Sequence, residues 1–216
     1  MFTGFVQSKL PVYRLVRQPD FATFSFVFSD KFIEGLKIGA SVAINGTCLT
    51  VRTIEKSTAS KPNQNIVSFD AIAQTLKVTN LGALTEGSVA NIERAARFGD
   101  EIGGHVLSGH IMRQVRVLDV LDTEYNRVIW LERPAELVPF ILDKGFVALN
   151  GCSLTIAEVE AERFSVHLIP ETRDVTTFGE VQQGDQINLE VDSQTQAVVE
   201  TVKQLLSDPQ FLAQIK

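Results

Sequence analysis

Apolar and polar residues alternate in short runs along most of the chain. Phe24 to Phe28, Ser41 to Asn45, Leu49 to Ile54 and Ile66 to Ile72 carry alternating or β-branched apolar side chains, bounded by Gly, Asn and Asp. That pattern predicts half-buried strands joined by tight turns. Short helical turns are expected between them at Asp30 to Leu36 and near Thr75 to Val78. Only the tail changes period. Val198, Val199, Val202, Leu205 and Leu206 fall at i, i+1, i+4, i+7 and i+8, an apolar stripe along one face of a helix.

The strand pattern occurs twice. Ser41-Val-Ala-Ile-Asn-Gly-Thr-Cys-Leu-Thr-Val51 reads against Phe146-Val-Ala-Leu-Asn-Gly-Cys-Ser-Leu-Thr-Ile156, pairing Asn45 with Asn150, Cys48 with Ser153 and Thr50 with Thr155 at an offset of 105. At the same offset Phe2 to Val6 falls on Leu107 to Ile111. Farther on, Gln74-Thr75 pairs with Glu171-Thr172, Thr79 to Gly82 with Thr176 to Gly179, and Gly87 to Glu93 with Gly184 to Glu190, now at an offset of 97. The polar stretch Ser57 to Asn65 accounts for the difference as a longer first-copy loop rich in turn formers. About six short strands per copy suggest small antiparallel barrels, since closure removes exposed edges. The expected fold is all-β: two tandem six-stranded antiparallel barrels over residues 1–97 and 98–194, then a C-terminal helix over 195–216. The helix has no counterpart in the first copy, so its stripe is expected to bury against a barrel or, as the favoured reading, against other chains.

Composition narrows the partners. A net charge of −6 disfavours nucleic acid, whose binding needs a basic surface to displace counterions. No apolar run approaches the length of a membrane span, and no signal-peptide pattern opens the chain. The cytoplasm is the expected compartment. Two cysteines, Cys48 and Cys152, make no disulfide framework and no CxxC metal spacing.

Two equivalent barrels imply two similar ligands or one ligand held from both sides. No GxGxxG, Walker or nucleophile-elbow motif occurs, but a flat heterocycle gripped by backbone groups needs none. Each Asn-Gly turn is followed by a small reactive or hydrogen-bonding side chain and, two residues on, by a hydroxyl: Cys48 and Thr50, then Ser153 and Thr155. Such a pair shares one strand face. The bland reading, a hairpin with satisfied hydroxyls, is weakened by the recurrence. His105 and His110 are five apart, on opposite faces of a regular strand, which argues against a shared metal. His110 stands in the place of Phe5 and is a candidate acid or base, whereas His167, matching Asp70, reads equally well as a surface residue.

Taken together these segments resemble the riboflavin synthases of the tandem-barrel, lumazine-binding kind over essentially the whole chain. The resemblance rests on Met1 to Gly4, Asn45 to Val51, Thr79 to Gly82, Gly103 to His110, Lys144-Gly145, Gly151 to Thr155, Ile169 to Thr172 and Asn188 to Asp192, in that order. It implies dismutation of two molecules of 6,7-dimethyl-8-ribityllumazine: one gives a four-carbon unit to the other, yielding riboflavin and 5-amino-6-ribitylaminouracil. It implies no metal or organic cofactor. It also implies a homotrimer held by the C-terminal helices, with the active site between one subunit's N-barrel and its neighbour's C-barrel. Lumazine synthase is a further candidate partner.

By matching positions, the resemblance places one substrate in the first barrel against Gly4, Phe5, Val6, Cys48, Leu49, Thr50, Asp70, Ala71, Ile72, Ala73, Gln74 and Thr75. The other lies in the second barrel against Gly109, His110, Ile111, Ser153, Leu154, Thr155, Ile169, Pro170, Glu171, Thr172, Arg173 and Asp174, with Lys144 reaching across the subunit boundary. Ser41, Cys48, His105 and His110 are expected near the chemistry, Phe2 and Thr3 shaping the site, and Asp192 supporting Ser153 by a hydrogen bond. Three positions depart from the family pattern: Gln74 where Glu is usual, Asn150 where Asp is usual, and Phe5 where Ile is usual. Gln74 cannot act as a carboxylate base. The rival readings are a lumazine- or flavin-binding chromoprotein without turnover and a purely structural pair of barrels.

Overall fold

The computed structural model describes residues 1–58, 62–208 and 211. The first copy folds as β1 (Ser8–Gln18), β2 (Phe21–Phe28), β3 (Ser41–Ile44), β4 (Thr47–Glu55), β5 (Asn65–Ile72) and β6 (Val89–Arg94). These close into an antiparallel barrel in the order β1-β2-β5-β4-β3-β6. The second comprises β7 (Arg113–Asp122), β8 (Arg127–Glu132), β9 (Phe146–Leu149), β10 (Cys152–Val159), β11 (Arg163–Leu168) and β12 (Gln186–Val191), closed as β10-β11-β8-β7-β12-β9. The expected helical turns are present with shifted bounds, α1 at Asp30–Ile33 and α2 at Ala73–Val78, and α3 (Pro170–Val175) is the second-copy counterpart of α2. The middle of the expected 57–65 loop and the end of the tail helix lie outside the described residues.

Alternation fills each barrel from every strand. Phe24, Phe26, Phe28 and Phe69 dominate the first core, while the second is mostly aliphatic around Phe164 and Phe178. The Asn-Gly turns are two-residue hairpins with positive φ at both central residues, 46° and 79° for Asn45-Gly46 and 44° and 78° for Asn150-Gly151. This is the turn whose twist matches paired strands.

Those turns also join the barrels. Gly46 and Gly151 sit back to back, so close that a Cβ on Gly46 would lie 2.6 Å from the Gly151 nitrogen. Around them four buried asparagines form a reciprocal set. Asn45 Oδ1 accepts from the Asn91 N–H at 2.8 Å, and Asn91 Nδ2 donates to the Asn150 carbonyl at 3.0 Å. In mirror image, Asn150 Oδ1 accepts from the Asn188 N–H at 2.9 Å and Asn188 Nδ2 donates to the Asn45 carbonyl at 2.9 Å. Asn150 Oδ1 also accepts from Asn80 Nδ2. Both roles are acceptor roles that an aspartate would fill equally well, so the Asn150 departure belongs to the barrel junction rather than to substrate chemistry.

The last helix, α4 (Ser193–Ser207), begins two residues before the expected start because Asp192 caps it, accepting from the N–H groups of Gln194 and Thr195. Of its apolar stripe, Val199 packs on the second core. Val198, Val202, Leu205 and Leu206 remain exposed in the single chain.

Candidate active site

Two arms precede the barrels: residues 1–6 before the first and residues 103–111 before the second. They meet as a short antiparallel bridge, with Phe2 and Leu107 exchanging backbone hydrogen bonds at 2.9 Å in each direction. Phe2 is buried there with Leu107, Ala43 and Ala148, as a wedge between the barrels.

Beyond the bridge each arm crosses to the opposite barrel. The Gly4 carbonyl accepts from the Ser153 N–H at 2.9 Å, and the Gly109 carbonyl accepts from the Cys48 N–H at 3.0 Å. Val6 packs into the core of the second barrel. Only glycine fits at these crossings: φ is +73° at Gly4 and +79° at Gly109, and added Cβ atoms would lie 2.5 Å from Ser153 Cβ and 2.6 Å from Cys48 Cβ. The arms thus touch the barrel opposite to the one with which repeat matching groups them. Gly4 and Val6 meet the second barrel, at Ser153 and in its core, and Gly109 meets the first at Cys48. Repeat matching pairs equivalent positions but is blind to an exchange of arms between copies.

Each arm is held by a buried carboxylate that sequence reading did not single out. Glu93 Oε1 accepts from the Thr3 N–H at 2.6 Å and its hydroxyl at 2.9 Å, and Oε2 from the Gly4 N–H at 3.1 Å. Glu190 does the same for Ser108, at 2.7 Å for both donors, and for Gly109 at 3.1 Å. Burial pushes the Glu93 carboxyl above its ordinary range despite these donors. A charged residue at the same position of β6 and β12, in Asn91-Ile-Glu93 and Asn188-Leu-Glu190, on the strand face opposite the core residues Ile92 and Leu189, was the available signal.

The second-barrel site carries the richer chemistry. His105 Nδ1 lies 2.6 Å from Ser153 Oγ, and its ring stacks on Phe146 at 5.1 Å between centroids. Burial lowers the imidazole pKa, against the pull of the nearby Asp192 carboxylate. A cavity of about 270 Å³ opens beside them, lined in part by Gly104, His105, Phe146 and Asp192. The expected Asp192 to Ser153 hydrogen bond is replaced by another arrangement: the Asp192 carboxylate caps α4 and accepts from the Thr195 hydroxyl at 2.7 Å, while His105 takes the Ser153 hydroxyl. Burial alone would raise the Asp192 pKa, but the bonds from Thr195 and Gln194 and the nearby His105 hold it below its usual value.

In the first barrel Cys48 is half-buried, packed beside Phe2 and Gly109, and Ser41 pairs across the strands with Thr50. Asp70 accepts from Thr23 at 2.7 Å and pairs with Arg52 at 3.2 Å. Ala71 is buried, Ile72, Ala73 and Gln74 are exposed, and Thr75 is half-buried. Exposure puts Gln74 on the open rim of the barrel, where its second-copy match Glu171 also lies. Around the second rim, Ile169, Pro170 and Asp174 are exposed, Thr172 is half-buried, and Arg173 reaches Asp122 at 3.9 Å. His110 is exposed on its arm next to Gly109, bordering a small cavity with Glu190 and Ser193. Lys144 occupies a turn at φ +60°, its Nζ 2.6 Å from the Ala157 carbonyl. His167 is a surface residue beside Glu158. A further cavity of about 1000 Å³ between Gln7, Phe32, Arg94 and Arg97 contains none of the expected site residues.

The lumazine-binding-domain family matches this chain twice, over residues 3–95 and 108–192. The chain belongs to that family. It is 48% identical to riboflavin synthase of Escherichia coli (strain K12) over 208 residues, covering 96% of this chain and 94% of that protein. It is 40% identical to riboflavin synthase of Buchnera aphidicola subsp. Schizaphis graminum, covering 95% and 96%. Among solved structures it matches LumP complexed with riboflavin (TM-score 0.79, 24% identity) and LumP complexed with 6,7-dimethyl-8-(1'-D-ribityl) lumazine (TM-score 0.77, 23% identity), each over 88% of this chain and 99% of LumP. At that identity the LumP likeness speaks to the fold alone. Among the described residues no helix is long and apolar enough to cross a membrane.

Proposed function

We propose that this chain is a riboflavin synthase, converting two molecules of 6,7-dimethyl-8-ribityllumazine into riboflavin and 5-amino-6-ribitylaminouracil. The observation that carries the reading is the 48% identity to a riboflavin synthase over nearly the whole length of both chains. The geometry supports it. A reaction between two identical molecules is served by two sites of one construction, and here each barrel offers a turn-strand segment, a crossed arm and a strand-helix junction in the same arrangement. Bringing two bound substrates face to face converts a bimolecular step into an effectively intramolecular one.

In this reading residues 1–97 and 98–194 are the two lumazine-binding units and 195–216 is the trimerisation helix of a cytoplasmic homotrimer. The single chain leaves Phe5, Ile72, Phe146 and Ile169 exposed around the barrel rims, apolar surface that a neighbouring subunit would cover with the substrates between. Lys144 would reach across that boundary, and lumazine synthase would supply the substrate. The chemistry requires a proton to leave the C7 methyl of one lumazine and a nucleophile to add to the other ring. Ser153 and His105 suit proton handling in the second barrel, because burial keeps the imidazole neutral and able to accept. Cys48 takes the place of Ser153 in the first barrel, with Ser41 nearby across the strand pair.

The test is incubation of the purified chain with the lumazine, following riboflavin by absorbance and the pyrimidine product by chromatography. Equal amounts of both products are expected. Tight fluorescent binding without turnover would replace the enzyme with a chromoprotein, and absence of binding would leave a structural role.

A further inference from the structure

The two carboxylates are buried under the arms, Glu93 at 3% and Glu190 at 4% exposure, with Glu190 also bordering a small cavity beside Ser108 and His110. Among the described residues every hydrogen bond that the Glu93 and Glu190 carboxylates accept comes from an arm: two backbone N–H groups and one hydroxyl each, matched between the copies to within a few tenths of an ångström. Keeping a carboxylate away from water costs free energy, and for Glu93 that cost shows as a pKa pushed upward. Such a residue is not explained by stability alone.

The connection it makes runs out of its own barrel. From Glu93, on β6 of the first barrel, the hydrogen bonds pass to Thr3 and Gly4, from the Gly4 carbonyl to the Ser153 N–H, and from Ser153 Oγ to His105. From Glu190, on β12 of the second barrel, they pass to Ser108 and Gly109 and on to the Cys48 N–H. We propose that Glu93 and Glu190 are positioning residues for the four-carbon transfer, each fixing through its arm the substrate wall of the opposite barrel. The proposal rests on the riboflavin synthase reading for the reaction it serves, but the crossed control of binding can be read without turnover.

A carboxylate is required because three donors converge on it. In Glu93→Gln one oxygen becomes an NH₂ group facing a backbone N–H, donor against donor, and the arm loses its seat. The chain contains two cysteines, Cys48 in one wall and Cys152 beside Ser153 in the other. Full-length protein labelled with ¹⁵N-cysteine therefore reports each barrel by one amide signal.

Riboflavin is titrated into wild type, Glu93→Gln, Glu190→Gln and the milder Thr3→Val, which removes a single donor to Glu93. The readout is the concentration that half-shifts each signal, because Glu93 lies near enough to influence the Cys152 thiol directly. In Glu93→Gln the Cys152 midpoint should rise on the order of tenfold to a hundredfold, as expected for losing hydrogen bonds to a charged group, with Cys48 titrating as in wild type. Glu190→Gln should do the reverse, and Thr3→Val should shift Cys152 in the same direction by less. Riboflavin formation should fall in each. Midpoints that rise in the variant's own barrel, in both barrels equally or in neither overturn the proposal, as does a wild-type Cys152 signal indifferent to riboflavin. A wild type that binds riboflavin but makes none would instead refute the enzymatic reading while leaving the crossed control to be judged by the midpoints.

Discussion

Cys48 and Cys152 share a residue type and differ in every other respect. Cys152 is buried and its thiol is pushed up to about 12, by burial first and then by the Glu93 charge, so it stays protonated near neutrality and is a poor nucleophile. Cys48 is partly accessible at the first-barrel crossing. Iodoacetamide at pH 8 should modify Cys48 alone, as read by peptide mass spectrometry, and bound riboflavin should protect it; labelling of Cys152 at a comparable rate would contradict its burial. His105 offers a test with a sign. Its folded pKa is depressed below 6.5, so as pH falls through 6.5 the unfolded chain takes up a proton that the folded chain refuses. Stability should therefore drop on acidification until the folded pKa is reached. His105→Gln should flatten that part of the dependence of Tm on pH between 7.5 and 5.5, and should lower kcat by about a hundredfold or more if the imidazole moves a proton. Cys48 and Ser153 were legible as a pair in the sequence because they follow identical turns. That Ser153 is bonded to His105 and not to Asp192 was not, since nothing in the spacing of the three residues specifies which side chain arrives first.

At the scale of elements, the Asn-Gly turns have two functions that sequence displays as one. Their positive φ values were implied by the hairpin pattern, but their back-to-back contact exists only once both barrels are closed. Gly46→Ala should cost at least about 1 kcal/mol from the φ of +79° alone, and more from the 2.6 Å approach to Gly151. A denaturant titration should show a lower midpoint; an unchanged midpoint would mean the junction opens at little cost. The arms are a second case. Phe2 is 2% exposed, and Phe2→Ala should remove about 3–5 kcal/mol by deleting a buried aromatic. Because Phe2 locks both arms, activity should fall at temperatures where the barrels remain folded by circular dichroism. Strand positions were readable from alternation, and helix bounds less so: α1 and α2 are too short to establish a period, and capping sets where α4 begins.

For the molecule as a whole, α4 presents Val198, Val202, Leu205 and Leu206 to solvent at 40–64% exposure. An apolar stripe left uncovered by its own barrel is what an oligomer interface requires. Light scattering after size exclusion should give the mass of a trimer, and Val202→Asp with Leu206→Asp should shift it to smaller species with loss of riboflavin formation. A wild-type monomer that is fully active would sink both the trimer and the shared site.

The repeat, the strands, the turn glycines and the helical tail follow from the sequence, because each depends on neighbours a few residues apart or on direct comparison of two segments. Local rules of sterics and periodicity are enough to fix them. Tertiary structure alone decided which arm serves which barrel, which carboxylate seats it and which partner Ser153 takes. Those choices join residues between 48 and 149 positions apart, such as His105 with Ser153 and Gly4 with Ser153, and two equal copies present two equally good local answers. Closing both barrels around one junction selects between them.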